Sequence, residues 1–85
     1  MEEWIENIYN YCQSYSMKQG KYEGIYILQY GGRTVQERNY KEGKLHGQSQ
    51  YYNESGSMIC IEMWKDGHLE NISLQVNSAG KIKIR

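Results

Sequence analysis

The sequence predicts an α+β fold, mostly β, in which an N-terminal helix packs on a single-layer antiparallel meander of β-hairpin repeats with about six strands. Two observations predict it. Apolar residues follow a helical period over residues 2–15, and after Gly20 turn residues recur at short, even spacing. Because 85 residues form one small domain, we expect residues 1–19 (the helix) and 20–85 (the repeats) to fold as one unit.

The N-terminal helix is predicted from an apolar stripe. Its residues recur with the 3.6-residue period of one helix face; they are Trp4, Ile5, Ile8, Cys12 and Tyr15. Three glutamates precede Asn7, in the first turns, where the helix dipole favours negative charge. We expect this helix to end before Gly20 and to bury Trp4, Ile5 and Ile8 against the sheet.

The β part is predicted from turn residues and from an internal repeat. Runs of five to seven residues rich in Ile, Tyr, Val and Met lie between glycines, as in short antiparallel strands joined by tight turns. Tyr40–Gly43 and Trp64–Gly67 share the phrase aromatic-x-x-Gly, and Gly20–Gly24 matches Gly43–Gly47. We interpret the first glycine of each phrase as a positive-φ turn residue. The second glycine is interpreted as a site where an aromatic ring approaches the backbone.

The phrases YKEGKLHG, YYNESGSM and MWKDGHLE resemble the MORN-type repeat, in the variant found in YwqK-like antitoxins. The resemblance covers about residues 20–80 and leaves the predicted helix outside it. It implies a twisted, single-layer meander of hairpins that binds other molecules. Proteins with such repeats serve in scaffolding, membrane-lipid contact and toxin neutralisation. The third repeat departs from the pattern, because Asn71 stands where the second glycine is expected.

The net charge of the chain disfavours two classes of binding partner. Ten basic and ten acidic residues cancel, so no global field attracts nucleic acid or an anionic membrane. No leader and no apolar run near 20 residues is visible, so we expect a cytoplasmic protein. In that compartment two free thiols, Cys12 and Cys60, are favoured over a disulfide.

No pattern of residues indicates catalysis, and we predict a protein that is not an enzyme, with no cofactor and no metal. His46 and His68 stand beside turn glycines without further ligands in pattern, which favours a structural role. The basic ending Lys81–Arg85 favours a lysine-protected edge strand over a phosphate-binding ribbon.

The segment Met58–Trp64 gives the strongest functional signal, because it is apolar on both faces of a strand. Either the tyrosines cover the exposed face, or a partner does, whether a second copy in a homodimer or a protein target. These alternatives stay open at this stage.

Function is predicted from the aromatic residues. Tyrosine and tryptophan dominate binding hot spots, so we expect a protein-binding module: an inhibitor such as an antitoxin, an immunity protein or a phage or plasmid anti-host factor. A scaffold or lipid-contacting repeat is the alternative. The predicted contact residues are Tyr22, Tyr26, Tyr30, Tyr40, Tyr51, Tyr52 and Trp64.

Overall fold

The computed structural model describes residues 1–75 and 83–84, and this part of the chain forms one antiparallel sheet of ten strands. The strands are β1 Glu2–Ile8, β2 Tyr11–Lys18, β3 Lys21–Tyr22, β4 Gly24–Tyr30, β5 Arg33–Lys41, β6 Lys44–Leu45, β7 Gly47–Tyr52, β8 Met58–Lys65, β9 His68–Gln75 and β10 Lys83–Ile84. Their spatial order is β1-β2-β4-β5-β7-β8-β9-β10, while β3 pairs with β2 and β6 with β5. Strands that are consecutive in the chain are therefore neighbours in space, as in a meander.

The predicted N-terminal helix is wrong, and with it the α+β class: the described residues contain no helix, and the fold is all-β. Residues 2–15 lie in β1 and β2, which pair from Glu2 opposite Met17 to Ile8 opposite Tyr11. Trp4, Ile5 and Ile8, which were expected to be buried, are 47%, 71% and 58% exposed. In place of a helix, residues 1–19 contribute β1 and β2, and β2 pairs directly with β4 of the repeat region.

The same residues fit a two-residue period as well as a helical one. In β2, Tyr11, Gln13, Tyr15 and Met17 alternate with the small residues Cys12, Ser14 and Ser16. Tyrosine, isoleucine and tryptophan favour strands, and asparagine and serine are poor helix formers. The edge of β4 offers backbone hydrogen bonds to a neighbouring strand, and this tertiary pairing decides between the two periods.

Two-residue turns join the long strands and explain the first glycine of each phrase. Glu42 and Gly43 have φ of 53° and 82°, and Asp66 and Gly67 have φ of 50° and 83°. Positive φ at both central residues matches the twist of a β-hairpin. The second glycine works differently from our interpretation. Gly24 and Gly47 both have φ of 95°, and no aromatic ring lies within 4 Å of a Cβ built at either.

Successive repeats are joined through their turns. The Gly43 N–H donates to the Tyr22 carbonyl at 2.9 Å, and one repeat later the Gly67 N–H donates to the Leu45 carbonyl at 2.8 Å. The stem of Lys21 lies beside Gly43, and that of Lys44 lies beside Gly67. The glycine and lysine of each repeat therefore pack each turn against the turn of the next repeat.

Equivalent side chains also cap these turns. A Glu23 carboxylate oxygen accepts from the Glu42 N–H at 2.8 Å. One repeat later, His46 Nδ1 accepts from the Asp66 N–H at 3.3 Å. Each of these N–H groups has no partner in the strand pairing, so a side-chain acceptor stabilises the turn. His46 therefore has a structural contact of the kind that the sequence favours.

Within residues 1–75 and 83–84, the sheet is one layer with no second layer against it. Its Cα atoms extend over 43 × 32 × 13 Å. Among the residues whose burial is described, no apolar side chain is buried, and Ser49 is the single buried residue, at 1% exposure. The fold therefore relies on backbone pairing and on side-chain contacts across each face.

The positive φ of Gly43 predicts the effect of substitution there. Gly43→Ala should lower the free energy of unfolding by about 1–2 kcal/mol, because a Cβ disfavours the left-handed region. Gly43→Asn should cost less, because asparagine visits that region readily. Urea unfolding at one fixed protein concentration checks both. Equal stability of the alanine variant and the parent would show that the turn does not depend on this conformation.

The cap predicts a local effect on hydrogen exchange. Glu23→Ala should speed exchange of the Glu42 amide because it removes the acceptor, whereas Glu23→Gln keeps an oxygen and should change it less. The Asp66 amide, capped by His46, is the internal control. If the Glu42 amide exchanges equally in the parent and in Glu23→Ala, the cap contributes nothing.

Candidate functional site: the tyrosine face

One face of the sheet collects most of the aromatic side chains, and we call it the tyrosine face. Its members follow from strand alternation and register: Trp4 lies opposite Tyr15, Tyr11 opposite Tyr30, and Met17 opposite Tyr22. The aromatic residues of this face are Trp4, Tyr11, Tyr15, Tyr22, Tyr26, Tyr30, Tyr40, Tyr51 and Trp64. Seven of the nine tyrosines therefore share one surface.

Six of the seven predicted contact residues lie on the tyrosine face: Tyr22, Tyr26, Tyr30, Tyr40, Tyr51 and Trp64. Tyr52 does not, because its hydroxyl donates to Glu37 at 3.1 Å on the opposite face. The sequence analysis missed Trp4, Tyr11 and Tyr15, which it assigned to a helix. Their alternation with small polar residues in β1 and β2 was the signal that could have placed them.

Four of the rings on this face form a continuous cluster, made by Tyr15, Tyr22, Tyr26 and Tyr40. Tyr22 is central: its ring centroid lies 5.2 Å from that of Tyr15, 6.0 Å from that of Tyr26 and 4.9 Å from that of Tyr40. Edge-to-face and tilted pairs at such distances are favourable beyond the area they bury. The cluster spans β2, β3, β4 and β5, and it holds these strands together where a core would in a two-layered fold.

Arg38 lies within this cluster as its central cation. Its guanidinium carbon lies 5.6 Å from the centre of the Tyr26 ring, which is cation–π distance. Its Nη1 donates to the Tyr40 hydroxyl at 3.2 Å. Its Nε is buried without a hydrogen-bond partner. The described residues give Arg38 no carboxylate within ion-pair distance, so its charge is balanced by ring faces and hydroxyls alone.

Two carboxylates flank Arg38 on the same face. Glu62 accepts from the Tyr51 hydroxyl at 3.0 Å and from Trp64 Nε1 at 2.9 Å. Glu6, near the other end, accepts from the Tyr15 hydroxyl at 2.7 Å. Across the sheet from β1 to β8, these three side chains alternate in charge, with Arg38 between the two carboxylates.

The hydrogen bonds and partial burial shift the pKa values of the tyrosines. The carboxylate of Glu6 raises the pKa of Tyr15 to about 12, and the same bond lowers the pKa of Glu6. Burial raises the pKa of Tyr26. Burial, followed by the bond to Glu62, raises the pKa of Tyr51. All these hydroxyls stay protonated at neutral pH, so the face offers phenol groups and not phenolates.

The opposite face is more polar. At its centre Gln50 donates to Glu37 at 2.6 Å and to the Tyr52 hydroxyl at 2.8 Å. Near β1 an apolar depression lies between Ile5 and Ile25. This face has polar groups already satisfied within the chain, and it lacks the ring cluster of the tyrosine face.

The two cysteines are free, as the sequence favours, and they lie on opposite faces. Cys12 is in β2 and Cys60 in β8, with β4, β5 and β7 between them. Burial raises the pKa of Cys60, which disfavours the reactive thiolate. Within the described ranges, no three His, Cys, Asp or Glu side chains converge as metal ligands. The absence of enzyme activity, metal and cofactor stays a prediction.

No helix of the described residues has the length and apolar character needed to cross a membrane. Comparison with known proteins finds no matching family model, no matching curated protein and no matching solved structure. The resemblance to MORN-type repeats therefore depends on the motif residues alone.

The Glu6–Tyr15 pair predicts a pH dependence. With the Tyr15 pKa raised above its unfolded value of 10, its contribution to stability is complete below pH 10 and is lost as the pH rises towards 12. The Glu6 contribution is present above its unfolded pKa of 4.5 and is lost as the pH falls below it. Glu6→Gln should bring the Tyr15 pKa back towards 10, as read by NMR titration of the ring.

Glu3→Gln is the matched control for that titration, because Glu3 lies on the opposite face of the same strand. It should leave the Tyr15 titration unchanged. An unaltered Tyr15 pKa in Glu6→Gln would mean that the carboxylate does not hold this hydroxyl in solution.

Proposed function

We propose that this chain is a small, non-enzymatic protein-binding module that acts in the cytoplasm, and that it inhibits an enzyme or toxin by covering it with the tyrosine face. Antitoxins, immunity proteins and phage or plasmid anti-host factors work in this way. The observation that carries the proposal is the concentration of nine aromatic side chains on one face of a sheet that no other described element covers.

The tyrosine and tryptophan side chains of this face are well suited to binding a protein. Tyrosine and tryptophan bring large apolar area with few rotatable bonds, so they lose little entropy when a partner orders them. Here ring contacts and hydrogen bonds already hold several of them: Tyr15 by Glu6, and Tyr51 and Trp64 by Glu62. A surface held in place before binding lowers the cost of association.

The charges on the face favour a protein over a lipid surface as its partner. Glu6 and Glu62 lie among the exposed aromatic residues, and Arg38 is the cation between them. Binding to an anionic membrane requires clustered lysine and arginine. A protein can instead place charges of opposite sign at each of the three positions.

Affinity capture from the source cells tests the proposal, followed by an activity assay of the captured protein. The parent chain should retain one partner in stoichiometric amount and should reduce its activity. Tyr26→Ala removes a central ring and should weaken binding by about thirtyfold or more, the size of a hot-spot loss. Circular dichroism should show that this variant keeps its strands.

Ile25→Ala is the matched control, since Ile25 is next to Tyr26 in β4 and lies on the opposite face, 57% exposed. It should bind the partner as the parent does. If the control loses the partner while Tyr26→Ala retains it, binding uses the other face and the proposal is wrong.

A further inference from the structure

We propose that, without a target, the tyrosine face is covered by a second copy of this chain. The two copies would pack face to face about a two-fold axis that runs along β7, above Ser49. Arg38 of each copy would then meet Glu62 of the other. This inference goes beyond the proposed function and requires no target.

The exposed area of the chain is large enough for a second copy to bind and cover part of it. The accessible surface is 6087 Å², whereas a folded monomer of 10.1 kDa exposes about 5,300 Å² on the usual scaling with mass. The excess, about 800 Å², is what one partner contributes to a standard interface. An area of 43 × 32 Å can hold a patch of that size.

The row of residues around Ser49 on the tyrosine face indicates which partner covers that face. Tyr26 in β4 pairs with Arg38 in β5, and Ser49 in β7 pairs with Glu62 in β8, which pairs with Ile72 in β9. Arg38 follows Glu37, the partner of Gln50, so it lies beside Ser49. The row across five strands is therefore tyrosine, arginine, serine, glutamate, isoleucine.

This row is complementary to itself. An axis along β7 exchanges its two sides, so Arg38 lies over Glu62 of the second copy, and Tyr26 lies over Ile72. Ile72 is 43% exposed in the part of the chain that the structure describes, which leaves apolar surface for a partner. An axis across the strands would instead bring Arg38 onto Arg38, with like charges facing. The favoured axis keeps the strands of the two sheets aligned, which is the common geometry of β-sandwiches.

The centre of the row holds two polar atoms without a partner. Ser49 is small, and its two neighbours on the same face along β7 are Gly47 and Tyr51. The Ser49 Oγ and the Arg38 Nε are both buried and both without a hydrogen-bond partner in the described residues. Among the described residues, the cation at Arg38 and the carboxylate at Glu62 have no ionic partner, and they lie on either side of Ser49.

Sedimentation equilibrium with charge reversals tests the proposal. The parent should be a dimer, and Arg38→Glu and Glu62→Arg should each raise its dissociation constant at least about tenfold, because like charges would face each other. An equimolar mixture of the two variants should form a heterodimer, since each restores the other's opposite charge. The double variant R38E/E62R should dimerise by itself for the same reason. Glu3→Arg, a reversal on the opposite face, should dimerise as the parent does.

Restored association in the mixture and in the double variant supports the proposal even where a single variant folds poorly alone. A parent that stays monomeric at high micromolar concentration overturns it. So does a dimer that both single reversals leave intact, or a mixture that associates no better than its components. These outcomes are measured on the purified chain without a target, so failure of the dimer is distinguished from failure of the proposed function.

Discussion

A sheet of one layer has two faces, and nothing within the described part of this chain covers either of them. The rest of the structure depends on this constraint. Strand pairing satisfies the backbone, but pairing alone buries little apolar surface, and burial is the main favourable term in folding. Two sets of contacts add to the strand pairing. Tyr15, Tyr22, Tyr26 and Tyr40 pack against each other on one face. The turns of successive repeats are hydrogen-bonded through Gly43 and Gly67.

The same constraint links the fold to binding. Side chains that would form a core in a sandwich remain half exposed here, with hydroxyls held by carboxylates and a guanidinium held by rings. Such a face gains stability from any partner of matching shape and charge, since a partner that binds only the folded state stabilises it. We propose that a second copy and a protein target compete for the tyrosine face, so that binding of the target dissociates the dimer.

The sequence predicted antiparallel hairpins after Gly20, because their turns are fixed by glycines that have positive φ, such as Gly43 and Gly67. It underestimated the number of strands, since eight of the described strands follow Gly20 and about six were expected. It failed over residues 2–15, where a helical stripe and a two-residue alternation coexist and the open edge of β4 selected the alternation. Six of the seven predicted contact residues share one face, although only Tyr40 and Trp64 among them hold equivalent places in the repeats. Tyr52 was misplaced, because it directly follows Tyr51 in β7 and strand alternation turns it to the opposite face. Arg38 and Glu62 could not be found from the sequence, because the row they share is made by register between strands that are distant in the chain.

The central claim is that the tyrosine face is the interface. Oxidative footprinting of the tyrosines, read by mass spectrometry at low and at high protein concentration, tests it most directly. Tyr9, fully exposed in the β1–β2 turn, and Tyr52, on the opposite face, serve as references within the same chain. The account predicts that Tyr26 and Tyr40 become protected as the concentration rises while both references stay reactive. Equal reactivity of all four at every concentration, or protection of Tyr52 alone, would contradict it.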